Sequence, residues 1–121
     1  MAAEQIDRTR WSAFLDGLTE TLVGKQAEIE VAALDLGDQI EVEWAPLIGI
    51  TYDKKNNVIE IALEQLDHLI RSPRAIFMDE AVGGIVALAI DDSDEHRHIV
   101  KLKDPLALAP PSTAAPAAVA R

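Results

Sequence analysis

Cysteine is absent from the 121 residues, which excludes disulfides, thiolate catalysis and every cysteine-based zinc or iron site. Aromatic residues are scarce at 4%, barely enough to furnish a core, so most of them are expected inside. Positive charge is also in short supply: 11 Lys and Arg stand against 21 Asp and Glu, for a formal charge of −10. Nucleic-acid affinity comes largely from cations that displace condensed counterions, so no nucleic-acid partner is expected. Anionic membranes are disfavoured for the same reason. No apolar run approaches the roughly twenty residues of a membrane span. The start "MAAEQIDRTR" sets acidic residues before any apolar run, so no secretory signal is expected and a cytoplasmic location is the default.

What remains is enough for one hydrophobic core. A single globular domain is expected over 1–108. The segment "PLALAPPSTAAPAAVAR" from Pro105 carries four of the six prolines and no acidic residue. Its large apolar groups stop at Leu108, so a disordered Ala/Pro-rich tail is expected over 109–121.

Between Asp7 and Gly24, the residues Trp11, Phe14, Leu15, Leu18 and Leu22 recur at helical offsets, which predicts one amphipathic helix over about 8–24. Asp7 or Thr9 would cap its start and Gly24 would end it. After Lys25 the period becomes two. "AEIEVAAL" points Ile29, Val31 and Ala33 one way and Glu28 and Glu30 the other, and "QIEVEW" repeats this with Ile40, Val42 and Trp44 inward. "PLIGITYD" either starts a new strand or continues past a bend at Pro46, with Gly49 allowing a close approach or a bulge. "DKKNN" supplies turn residues before "VIEIALE", whose Ile59, Ile61 and Leu63 share a face. "SP" at Ser72 and Pro73 is expected to force an extended break. Gly83 and Gly84 turn the chain into "IVALAI", apolar on both faces and so central, and "HRHIVKLK" completes the series. The fold class is therefore α+β and β-rich: one N-terminal helix packed on a rolled, mainly antiparallel sheet or small barrel of about seven strands, spanning about 26–103.

Chemistry concentrates in "DDSDEHRHIV", with four carboxylates and two histidines in eight residues. His96 and His98 alternate along a strand, so both imidazoles project from one face, and Asp94 or another turn carboxylate could add an oxygen. A metal ion on His96, His98 and Asp94 is one reading; a solvated turn with His98 tucked beside Val100 and Leu102 is the plainer one. The stretch lacks the glycine and late glutamate of a calcium loop. His68 and Asp67 form a second possible polar site, four residues before Ser72. No nucleophile elbow or phosphate-binding glycine loop accompanies them, so no catalytic residue is assigned and an enzyme is not expected. Glu28, Glu30, Glu41 and Glu43 would crowd the outer face of the first hairpin and need a cation nearby. Arg97, Lys101 and Lys103 share one face of the last strand, which predicts that this strand lies beside the first hairpin.

The order and spacing of "RTRWSAFLD", "PLIGITYD", "VIEIAL" and "LDHLIRSPRAI" resemble a family of small bacterial proteins known only as a domain of unknown function. The resemblance covers roughly Arg8 to Leu102 and implies no activity, cofactor or catalytic residue. A helix followed by bent strands is also similar in architecture to Sm-like folds, whose RNA-binding pore needs basic groups that the acidic balance here opposes. The expected function is a non-catalytic module acting through an unknown protein partner or as a homodimer, through strand edges or Trp44, Tyr52 and Phe77. The competing expectation is a metal-binding protein or metal-dependent hydrolase. No other cofactor is expected.

Overall fold

The computed structural model describes residues 3–22, 24–33, 37–81 and 84–103; the expected C-terminal tail lies outside them. Eight strands and one helix account for most of the described residues. The strands are β1 (Ala3–Ile6), β2 (Gln26–Ala33), β3 (Gly37–Asp53), β4 (Val58–Leu63), β5 (Asp67–Arg71), β6 (Pro73–Ala81), β7 (Gly84–Asp92) and β8 (His96–Lys103). The helix α1 (Trp11–Leu22) follows a 3-10 turn at Arg8–Arg10. Asp7 caps that turn by accepting from the Thr9 amide, which satisfies a backbone donor that the first turn leaves free. One strand more than expected is present, because β1 precedes the helix and pairs with β6.

All neighbours pair antiparallel in the order β1-β6-β7-β8-β2-β3-β4-β5. The apolar strand β7 lies between β6 and β8, as its two apolar faces require. The sheet is rolled rather than flat: His68 on the terminal strand β5 touches His98 on β8, four places away in that order. Two corners make the roll. β3 runs with β2 over its first half and with β4 over its second, and Trp44 at φ 30 sits at the change of direction before Pro46. At the other corner Ser72, at φ 52, separates β5 from β6. The break before Pro73 thus exists, but Ser72 is left-handed rather than extended, held by its amide on Asn57 O at 3.0 Å and by Ser93 N on its carbonyl at 3.0 Å.

The core gathers one face of each strand and one stripe of the helix. Trp11, Leu15, Leu18 and Leu22 meet Ile29, Ile50, Ile59, Ile61, Ile70, Ile76, Leu88, Ile90 and Val100. Each such branched side chain contributes about 1.5–3 kcal/mol when fully buried. Phe14 packs only at the margin. The helix also closes a strand edge. Ile50 points its amide and carbonyl away from β4 to the Thr19 hydroxyl, which accepts from Ile50 N at 3.0 Å and lies 2.8 Å from Ile50 O. Gly49 makes this approach possible, since a Cβ there would stand 3.0 Å from Thr19 Cγ2.

The inward set of the first hairpin differs from the alternation in two respects. Val42 is buried, but Ile40 is 49% exposed. Register shifts flank Ile29, so that Ile29 faces Val42 while the adjacent Glu30 faces Ile40. Glu41 is an extra residue on β3 that puts Ile40 and Val42 on opposite faces, and the second shift, between Ala27 and Ile29, lies opposite Glu43 and Trp44 and separates Trp44 from Val42 in the same way. Trp44 likewise leaves the core and stacks under the Lys103 ammonium, 4.2 Å from its ring centroid. The last strand pairs with the first hairpin as expected. Glu28 faces Lys101 in the register, and the Lys101 ammonium lies 3.6 Å from Glu28 and 3.5 Å from Glu30.

Candidate functional site

Two polar constellations stand out from this frame. The first grows from the inward period of β7, where Leu88 and Ile90 are followed by Asp92. On β8 the inward residue beside Ile90 is His98, and Asp92 and His98 are only 6% and 7% exposed. A buried carboxylate is costly unless its oxygens are satisfied, and here they are. Oδ1 accepts from the amides of Asp94 at 2.9 Å and His96 at 3.0 Å. Oδ2 lies 2.9 Å from His98 Nε2. Burial pushes the Asp92 carboxyl up, but the His98 contact and the two amides outweigh it and hold it below the usual range.

The chain continues to β5, where His68 Nε2 lies 3.0 Å from His98 Nδ1. An ionised carboxylate can only accept, so His98 Nε2 carries a proton, and in the neutral ring Nδ1 is the acceptor for His68 Nε2–H. The order Asp92, His98, His68 thereby has one consistent set of donors. Burial, then the His98 ring, lowers the proton affinity of His68, while Glu41 opposes this. This chain ties β5 to β7 and β8, which are not its sheet neighbours.

Of the residues singled out in the sequence, His98 and His68 come together, although they lie thirty positions apart. His96 keeps its ring 4.0 Å from Asp92 Oδ2, and Asp94 is exposed and contributes its amide rather than its carboxylate. Asp67 faces outward, hydrogen-bonded to Glu60 rather than to His68, and pushes the Glu60 carboxyl above the usual range. Among the described residues no group of three or more His, Asp or Glu side chains is arranged to hold a metal ion. Among the described residues the hydrogen-bond partner of His68 is His98 and no serine or threonine hydroxyl, so Ser72 does not complete a catalytic series. Asp92, rather than Asp94, is the carboxylate of that stretch that meets His98; its signal is the continuation of the Leu88, Ile90 period.

The second constellation is a recess of about 460 Å³ lined by Arg8, Thr9, Ser12, Tyr52, Lys54 and Asn57. The 3-10 turn carries Arg8 over the Trp11 ring, 4.3 Å from its centroid. Trp11 is fixed in turn by its indole N–H on Ile6 O at 3.0 Å and by an edge-on contact with Tyr52 at 5.2 Å. The Arg8 guanidinium donates to Tyr52 Oη, Asn57 Oδ1 and Pro73 O at 3.1, 3.4 and 2.8 Å. The α1 start, the β3–β4 turn and the β5–β6 corner therefore meet at one end of the rolled sheet.

The chain matches, over residues 2–111, the model of a family described as a family of unknown function (DUF5335). An uncharacterized protein of Aquifex aeolicus (strain VF5) is 35% identical over 109 residues, which cover 89% of this chain and 98% of that protein. No solved structure matches.

Proposed function

The chain belongs to the DUF5335 family, a membership that carries no activity, and we propose that it is a cytoplasmic, non-catalytic module that works as a homodimer paired along β5. The observation that carries this reading is the self-complementarity of that strand. β5 has a hydrogen-bonded neighbour, β4, on one side only. The other edges are managed differently: β1 is four residues long, and the second half of β3 is covered by Thr19. An unguarded edge is a template for pairing with another strand. Asp67, Leu69 and Arg71 share its exposed face, and Leu69 is 44% exposed with Leu66 beside it at 47%.

Set antiparallel to a second copy about Leu69, the strand places Leu69 on Leu69, Asp67 opposite Arg71 and Arg71 opposite Asp67. Such a twofold contact is the commonest form of self-association. The charges want it independently. Asp67 lies against Glu60, and the hydrogen bond between the two acids, then their repulsion, raises the Glu60 proton affinity; Arg71 has no ion pair among the described residues. A second copy supplies what each lacks.

The test is molar mass by light scattering at about 50 µM, a concentration suited to micromolar association, for the wild type, Asp67→Arg, Arg71→Asp and the double variant. Each single variant sets like charges face to face and is expected to dissociate the dimer; the double variant restores opposite charges and is expected to restore it. The singles change net charge in opposite directions, so overall repulsion cannot produce the same loss in both. A monomeric wild type, or a dimer indifferent to both singles, would sink the reading. The competing proposal is a metal ion on His68 and His98, which would take the place of the proton in the hydrogen bond that brings the two rings together. Native mass spectrometry before and after chelation separates the two: a stoichiometric metal lost on chelation, and lost in His98→Ala, favours the ion.

A further inference from the structure

We propose that the recess around Arg8 binds a small organic phosphate, its phosphate group held between the Arg8 guanidinium and the Lys54 ammonium. The argument begins with charge. In a chain of formal charge −10 a guanidinium would ordinarily find a carboxylate, yet all three acceptors of Arg8 are neutral oxygens, on Tyr52, Asn57 and Pro73. The nearest carboxylates in sequence are turned elsewhere. Asp7 is taken by the amide and hydroxyl of Thr9, and Asp53 by the amide and side chain of Asn56. Those contacts hold both acids ionised, below the usual carboxylate range, and spend them within their own turns. Lys54, which also lines the recess, has no ion pair among the described residues either.

The second part of the argument is preorganisation. The Arg8 guanidinium lies over Trp11, its central carbon 4.3 Å from the ring centroid, and Trp11 is itself 1% exposed and hydrogen-bonded to Ile6 O. Tyr52 donates to Asn57 Oδ1 at 2.9 Å, so the Asn57 acceptor is occupied twice over and faces Arg8. The guanidinium thus loses little rotamer freedom when a ligand arrives, and those of its N–H bonds not given to Tyr52, Asn57 and Pro73 remain available to an oxyanion. Ser12 adds a hydroxyl on the same rim.

The choice of anion follows from the count of cations and from size. Two positive groups suit a phosphate monoester, which carries close to two negative charges at neutral pH, better than a single carboxylate. The recess, at about 460 Å³, falls within the range of small-molecule sites and has room for a sugar-sized group behind the phosphate.

The experiment is amide-resolved NMR titration of the full chain with glucose 6-phosphate, with glucose and succinate as comparisons, at low ionic strength because exposed charges are screened by salt. Saturable shifts are expected at residues 8–12 and 52–57 with the phosphate ester and not with glucose. Lys54→Gln touches no core residue and is expected to weaken binding about tenfold, the loss of one charge-assisted contact. Arg8→Gln is expected to abolish binding, and the retained spectrum of Lys54→Gln keeps the test valid if Arg8→Gln fails to fold. Absence of saturable shifts up to about 20 mM ester, far above the millimolar affinity of the weakest specific sites, would overturn the proposal. So would shifts unchanged in Lys54→Gln, or succinate binding as tightly as the phosphate ester.

Discussion

Replacement of Thr19 by valine probes the device that closes the open edge of β3. Valine keeps the shape and removes the hydroxyl that meets Ile50 N at 3.0 Å and Ile50 O at 2.8 Å, and that also lies 2.9 Å from Leu15 O. The Leu15 carbonyl keeps its place in the helix, but the Ile50 amide and carbonyl are left facing a methyl group. Two part-buried backbone groups without partners cost about 2–3 kcal/mol together. For a domain of this size that is a fall in Tm of roughly 10 °C. Thr19→Ser separates the hydroxyl from the methyl: it keeps both Ile50 contacts and loses one packed carbon, for about 1 kcal/mol. The methyl matters because Gly49 lies under it. Gly49→Ala puts a carbon 3.0 Å from Thr19 Cγ2 and is expected to cost about 1–2 kcal/mol through displacement of the helix. In the Thr19→Ser background the same alanine meets no methyl, so the double variant should regain about 1 kcal/mol over the sum of the singles. Urea unfolding followed by circular dichroism gives all four free energies. Valine within about 0.5 kcal/mol of the wild type, or no better separated from serine than that, would refute the account, since it would show that Ile50 needs no partner at this edge.

Two further outcomes follow from the electrostatics. Burial and the His98 ring lower the His68 pKa, so between its ordinary value near 6.5 and its folded value the unfolded chain binds more protons, and stability falls as pH falls through that window. Thermal unfolding between pH 7 and pH 5 should show this fall, and His68→Gln should flatten it; an equally steep variant would count against the assignment. Lys101→Glu places a third acid beside Glu28 and Glu30 and is expected to cost about 1 kcal/mol at low salt and less at 1 M salt, because an exposed pair is screened; denaturation at both ionic strengths measures it.

Much of this fold was legible because it rests on local periodicity. The stripe of Trp11, Leu15, Leu18 and Leu22, and the alternation of Ile59, Ile61 and Leu63, state their burial directly. Lys101 was placed beside Glu28 and Glu30 by charge alone. Ile40 was misplaced because a bulge is a property of two strands and leaves no trace in the alternation of one. β1 was missed because four residues carrying a single buried side chain, Ile6, have no period to detect.

The candidate sites divide in the same way. The chemistry of "DDSDEHRHIV" was visible, since side chains on one strand face are neighbours by the geometry of the strand itself. Which of its groups meet was not, because the contact of His98 with His68 depends on the roll of the sheet, and the contact with Asp92 on the register of β7 against β8. The Arg8 recess draws on α1, β3, the β3–β4 turn and the β5–β6 corner, which are adjacent only in space. Composition and local pattern by themselves determined what this protein lacks, its class and the inward face of most elements, because those depend on residue type and on spacing of a few positions. Tertiary structure alone decided which polar groups are paired and which are left facing outward, because that depends on contacts across forty and more residues of chain, where no periodicity reaches.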